Sequence, residues 1–216
     1  MRLKFDEELN NLNREMILMG SMCEDAINTA IRALIKGDPD GHKNVSAIVT
    51  EISHKEREIE DMCLKLLMQQ QPVATDLRTI SSALKMVSDL ERIGDQSDDI
   101  AEIVSMQNIS DADDKYEILD LGQAASRMVT GAVDAFVKRD EKAAREVIKE
   151  DDTVDDYFDK IKKELAKSIQ TDKAGLEKTL DLLMISKYFE RIGDHAVNIA
   201  QWVIFSVTGV LEGNTK

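Results

Sequence analysis

Along this chain apolar residues return at intervals of three and four, and no stretch alternates apolar with polar in the manner of a strand. Ile52, Ile59, Cys63 and Leu66 form one such stripe, and Val147, Val154, Phe158 and Ile161 form another. The pattern predicts six helices, over about 5–36, 42–70, 75–107, 115–138, 141–170 and 173–208. Turn-forming residues fall between them. Gly37-Asp38-Pro39-Asp40-Gly41 stops the first helix, Pro72 follows the second, and Thr75 or Asp76 can cap the third. Helices of this length joined by short turns pack as antiparallel bundles.

The pattern is also written twice. The string ERIGD begins at Glu91 and again at Glu190, 99 residues later. LIKGDPD (34–40) corresponds to FVKRDEK (136–142) at an offset of 102, and EREIEDM (56–62) to DDTVDDY (151–157) at an offset of 95. Three matches in conserved order, with only the spacing drifting, are the mark of a duplicated unit. The expected fold is therefore all-α: two tandem three-helix bundles over residues 1–107 and 108–216, with NISDADD (108–114) at the boundary.

Each copy of ERIGD sets a glutamate and an aspartate four residues apart, on one side of a helix. With Glu91 at zero, Asp95 lies at about 40° and Asp99 at about 80°, whereas Ile93, Ile100 and Val104 lie near 180–220°. The second copy repeats this relation for Glu190 and Asp194 against Ile192, Ile199 and Val203, with Asn198 in the place of Asp99. The acids are expected on or near the outer surface, although Leu84 and Val87 upstream fall on their side. Glu56 with Glu60, and Asp151 with Asp155, are matching pairs on the second helix of each bundle, bordering its apolar stripe. They are placed to lean toward the acids of the third helix. Gly94 and Gly193 stand inside helices, where glycine costs about 1 kcal/mol relative to alanine. Close helix approach, or room for a ligand, would explain the cost at the same place twice.

Four carboxylates per bundle, drawn from two helices, suggest a cation site. Hard oxygen donors suit Mg, Ca and Mn, and carboxylate clusters also take iron or zinc. A ferritin-like di-iron centre needs two Glu-x-x-His motifs, and the sequence holds one such string, Glu51 to His54. His42, His54 and His195 read as structural or surface residues. The competing reading of the acids, a metal-dependent helical-bundle enzyme, lacks histidine ligands on the acid stripe. Arg92 and Arg191 read as surface ion-pair partners. Met16, Met19, Met22, Met62, Met68, Met86, Met128 and Met184 read as core filling.

Composition narrows the partners. With 28 Lys and Arg against 42 Asp and Glu the net charge is −14, which disfavours nucleic acid and anionic membrane and suits cations or basic protein surfaces. Cys23 and Cys63 lie in helical patterns without metal-ligand spacing and read as buried thiols. The opening MRLKFDEELN is not a signal peptide, and WVIFSVTGVL (202–211), half the length of a bilayer span, reads as the packed end of the last helix. No phosphate-binding loop or nucleotide fingerprint is present. A soluble, intracellular, non-enzymatic protein without membrane insertion is expected.

Two three-helix repeats, each with ERIGD in its third helix, together with PVATDLR (72–78), resemble the PhoU family of phosphate-signalling proteins. The resemblance covers essentially the whole chain. It implies a cytoplasmic accessory protein, often a homodimer, that represses the phosphate-starvation response when phosphate is plentiful. The implied partners are the ATPase subunit of the phosphate ABC transporter and a sensor histidine kinase. It also implies multinuclear iron or zinc bound by Glu/Asp-x-x-x-Asp motifs. On this chain the motif falls on Glu91 and Asp95, Glu190 and Asp194, and Asp151 and Asp155, and more loosely on Glu56 and Glu60. Asp99 opposite Asn198, and the lack of PVATDLR in the second half, would fit unequal metal occupancy.

Overall fold

The computed structural model describes residues 2–38, 40–69, 73–107, 109, 117–171 and 175–211. Six helices follow in chain order: α1 (Arg2–Lys36), α2 (Gly41–Gln69), α3 (Ala74–Gln107), α4 (Ile118–Lys138), α5 (Glu141–Thr171) and α6 (Leu176–Thr208). Pro72 and 110–116, which include most of the expected boundary, lie outside the described residues. Among those described there is no strand. The chain forms two three-helix units side by side. The outer helices α2 and α5 touch only their own unit, whereas α3 meets α6 and α1 meets α4 across the middle.

Helix ends follow local chemistry. The third helix starts one residue earlier than its pattern suggests, and Asp76 in its first turn accepts a hydrogen bond from the Val73 N–H. Asp140, just before α5, caps that helix by accepting from the Ala143 N–H at 3.0 Å. The last helix ends at Thr208 because Gly209 adopts φ +78°, and its N–H closes on the Phe205 carbonyl. Val203 and Ile204 are buried as expected of WVIFSVTGVL, but Val210 and Leu211 lie beyond the cap and are exposed.

The stripes become a continuous core running through both units, with Leu12, Met16, Ile27, Ile52, Ile59 and Leu90 on one side and Met128, Val154, Ile185, Phe189 and Ile199 on the other. Close backbone approach joins the units. A Cβ on Gly122 of α4 would stand 2.9 Å from the Phe189 ring of α6 and 3.1 Å from Ile31 of α1. Two methionines depart from the core reading: Met68 is 84% exposed and Met184 44%, on the outer sides of α2 and α6.

The central helices α3 and α6 run antiparallel. Arg78, near the start of α3, packs on Gly209 at the end of α6, Asp89 meets His195 and Asn198, and Asp99 receives a hydrogen bond from Tyr188. As one number rises the other falls. Each unit thus presents its ERIGD helix to the other.

Candidate functional site

Two acidic grooves flank this central seam. In the first, α2 presents Glu56 and Glu60 to Glu91 and Asp95 of α3. Burial raises the Glu56 carboxyl above the ordinary glutamate range, and the charges of Glu91 and Glu60 push it the same way. Glu91 is raised by burial and then by Asp95. In the second, α5 and α6 present Asp151, Asp155, Glu190 and Asp194. Burial raises Glu190, as do the charges of Asp194 and Asp155, while its hydrogen bond from Lys187 opposes them. Mutual charge thus links Glu56 with Glu60 and Glu91, Glu91 with Asp95, and Glu190 with Asp155 and Asp194.

Their depth sharpens the expectation of acids on or near the outer surface. Seven of these carboxylates are half-buried, and only Asp151 is buried. The reason is the central position of α3 and α6. Each packs against helices on several sides, so Val87 is as buried as Ile93, and the acids fall at the rims of a wide buried face.

The helix glycines make the grooves narrow. A Cβ on Gly94 would stand 3.2 Å from Ile52 Cδ1, and one on Gly193 would stand 3.1 Å from Val154 Cγ1 and 3.7 Å from Asp151 Oδ1. Close approach of α2 to α3, and of α5 to α6, accounts for both positions. It draws Asp151 against the α6 backbone beside Asp194.

The chemistry of the donor set fits a hard cation: carboxylates only, half-buried or buried, with Glu56, Glu91 and Glu190 raised by burial and by neighbouring negative charge. Among the described residues no three Asp, Glu, His or Cys side chains stand gathered as a ready-made metal site. A metal at either groove would therefore draw the carboxylates closer than they stand.

The cations beside the two grooves differ. Arg92 reaches Asp95 at 3.2 Å but remains 63% exposed. The charge of its exposed counterpart Arg191 acts instead on Asp99 and Tyr188. In the second groove Lys187 donates to Glu190. Sequence patterning did not single out Lys187, Asp89 or Tyr188, although the last two share a signal: each stands two residues before the glutamate of ERIGD.

The contrast between Asp99 and Asn198 belongs to the seam. His195 Nδ1 lies 2.9 Å from Asp89 Oδ1, and Asn198 donates to the same oxygen at 3.3 Å. At the matching place across the pseudo-twofold relation, the Tyr188 hydroxyl donates to Asp99. Each end carries one aspartate, supplied by α3 both times. Elsewhere His42 Nε2 lies 3.4 Å from Asp98, which also accepts from Ser46, and His54 is exposed. Both cysteines are buried, and burial pushes their thiols up, Cys63 to about 12. Among the described residues no helix is long and apolar enough to cross a membrane.

Known proteins share this fold. A Clostridium acetobutylicum protein named as a phosphate-specific transport system accessory protein PhoU homolog is 36% identical over 95% of this chain and 94% of its own. A homolog so named from Pseudomonas aeruginosa is 35% identical over 95% of this chain and 86% of its own. The crystal structure of PhoU from Pseudomonas aeruginosa superposes with a TM-score of 0.88 at 34% identity, covering 95% of this chain and all of that one. That of the phosphate transport system regulatory protein PhoU from Streptococcus pneumoniae gives 0.88 at 25% identity, covering 97% and 99%. The PhoU domain model matches twice, at 16–104 and 118–203, once over each three-helix unit with its acidic groove, and the chain belongs to the PhoU domain family.

Proposed function

We propose that this chain is an accessory protein of a phosphate-specific transport system, restraining phosphate uptake and the phosphate-starvation response when phosphate is plentiful. The observation that carries the reading is similarity over the whole chain, both repeats included, to proteins named for that accessory role. The finer reading is a non-catalytic cytoplasmic adaptor, working as a homodimer between the transporter's ATPase subunit and a sensor histidine kinase. An acidic helical surface on a chain of charge −14 suits basic patches on such partners.

Iron or zinc would be held at the grooves by Glu56, Glu60, Glu91 and Asp95, and by Asp151, Asp155, Glu190 and Asp194. Bound there, a metal would supply positive charge and no reaction. It would cancel the repulsion between acids on neighbouring helices and hold the third helix of each unit against the second.

Deletion of the gene, with phosphate-regulated expression assayed in phosphate-rich medium, tests the role. Expression is expected to become high despite ample phosphate and to return to repression on complementation. Unchanged repression in the deletion strain would remove the regulatory reading.

A further inference from the structure

The two grooves differ in a cation that the chain itself supplies. Lys187 stands three residues before Glu190, and the matching position of the first repeat, three before Glu91, is Ser88. The Lys187 ammonium donates to Glu190, whose side chain is 12% exposed. It also lies 5.3 Å from the centroid of the Phe158 ring, on α5. One ammonium thus holds an acid of the groove on its own helix, α6, and reaches an aromatic face of α5. The first repeat has neither half of this arrangement, because Cys63 stands where Phe158 does. Its own cation, Arg92, lies 3.2 Å from Asp95 and 3.9 Å from Glu91 but is 63% exposed, pairings that water and salt readily replace.

We propose that Lys187 is a built-in cation of the second acidic groove, so that free metal ions load the first groove in preference to the second. The inference rests on the reading of both grooves as metal sites. A divalent ion binding Glu190 must displace the ammonium from the carboxylate or tolerate a positive charge beside it. At Glu91 and Asp95 the side chain that has to give way is Arg92, which is 63% exposed and has no aromatic face holding it among the described residues, so water replaces it more readily. The duplicated acids then serve two purposes. One groove takes metal from solution, and the other is closed by a salt bridge in the folded chain.

Zinc binding to the full-length protein, followed by equilibrium dialysis with elemental analysis, tests this. The proteins compared are wild type, Glu91→Gln/Asp95→Asn, and that pair combined with Lys187→Met, which keeps the apolar stem over Phe158 and removes the charge. The first pair is expected to lose most of the zinc, and adding Lys187→Met is expected to restore zinc binding at least tenfold tighter than in the pair alone. Lys187→Gln replaces Lys187→Met if the latter melts below wild type. If the Glu91→Gln/Asp95→Asn protein keeps half of the wild-type zinc, or if removing Lys187 adds none, Lys187 does not govern loading, while zinc in the wild type leaves the groove reading standing. If wild type takes no more zinc than a Glu56→Gln/Glu91→Gln/Asp155→Asn/Glu190→Gln protein, the groove reading fails and this inference with it.

Discussion

His195 Nδ1 of α6 meets Asp89 Oδ1 of α3 at 2.9 Å, with both side chains less than a fifth exposed, and this contact pins one end of the seam between the repeats. The hydrogen bond crosses from one duplicated unit to the other, so its loss is felt by the assembly of both. His195→Ala leaves Asp89 with the longer bond from Asn198, at 3.3 Å. The expected cost is about 1–2 kcal/mol, read as a lowered urea midpoint. In an Asp89→Asn background the same substitution should cost less, because the charge is already gone. Equal costs in both backgrounds would show that the two residues do not interact.

At the other end of the seam Asp99 carries a pH dependence of definite sign. Burial raises its carboxyl above the ordinary aspartate range, the charges of Asp95, Asp98 and Glu102 add to this, and Arg191 opposes it. A carboxyl raised in the fold is more readily protonated there than in the unfolded chain. Its stabilising contribution is full below the unfolded value and is lost as pH rises through the folded value. Asp99→Asn, which copies the Asn198 of the other repeat and still accepts from Tyr188, should therefore raise the melting temperature at pH 7. The gain should shrink as pH falls into and below the range where aspartates titrate. A gain independent of pH would place its origin elsewhere.

The helical faces, and the pairing of acids along each single helix, were legible from one period of the sequence, because residues on one helix hold their angular relation whatever packs beside them. Ile52, Ile59, Val154 and Ile161 are all buried where the stripes put them. What spans two helices was legible only in part. Glu56 and Glu91 could be placed by matching the repeats, but the depth of the groove depends on α6 lying against α3, which periodicity on α3 does not contain. Asp99 illustrates the limit. On the helical wheel it continues the acid stripe of Glu91 and Asp95, yet in the fold it turns to Tyr188 of the other repeat. Lys187 and Met184 lie on one face with nothing in their spacing to separate them. Only the presence of Phe158 and Glu190 beside one of them distinguishes a groove cation from an exposed apolar residue.

The close approach of α4 to α6 makes a steric prediction. Alanine at Gly122 would put its Cβ 2.9 Å from the Phe189 ring, which is fully buried and cannot swing out. Overpacking of this kind costs about 1–3 kcal/mol. At Gly94 the nearest atom is the terminal Cδ1 of Ile52 at 3.2 Å, and alanine there also gains about 1 kcal/mol of helix propensity. Gly122→Ala should melt clearly below wild type and Gly94→Ala close to it. The reverse order would contradict the packing described for α4 on α6.

The first acidic groove should answer one substitution with two opposite effects, depending on metal. Burial raises the Glu91 carboxyl first, and Asp95 adds to it, so at neutral pH the ionised groove is less stable than a neutral one. Without metal, Glu91→Gln removes one of the repelling charges and should raise the melting temperature at pH 7, with the gain fading on acidification as wild-type Glu91 takes up a proton. With zinc present, the same residue is a donor, and the metal-dependent rise in melting temperature should be smaller in Glu91→Gln than in wild type. Two melting series, one in chelator and one in zinc, therefore separate a cation site from a merely solvated acidic face. A solvated face predicts no change in either series. A cation site predicts that the order of the two proteins inverts between them.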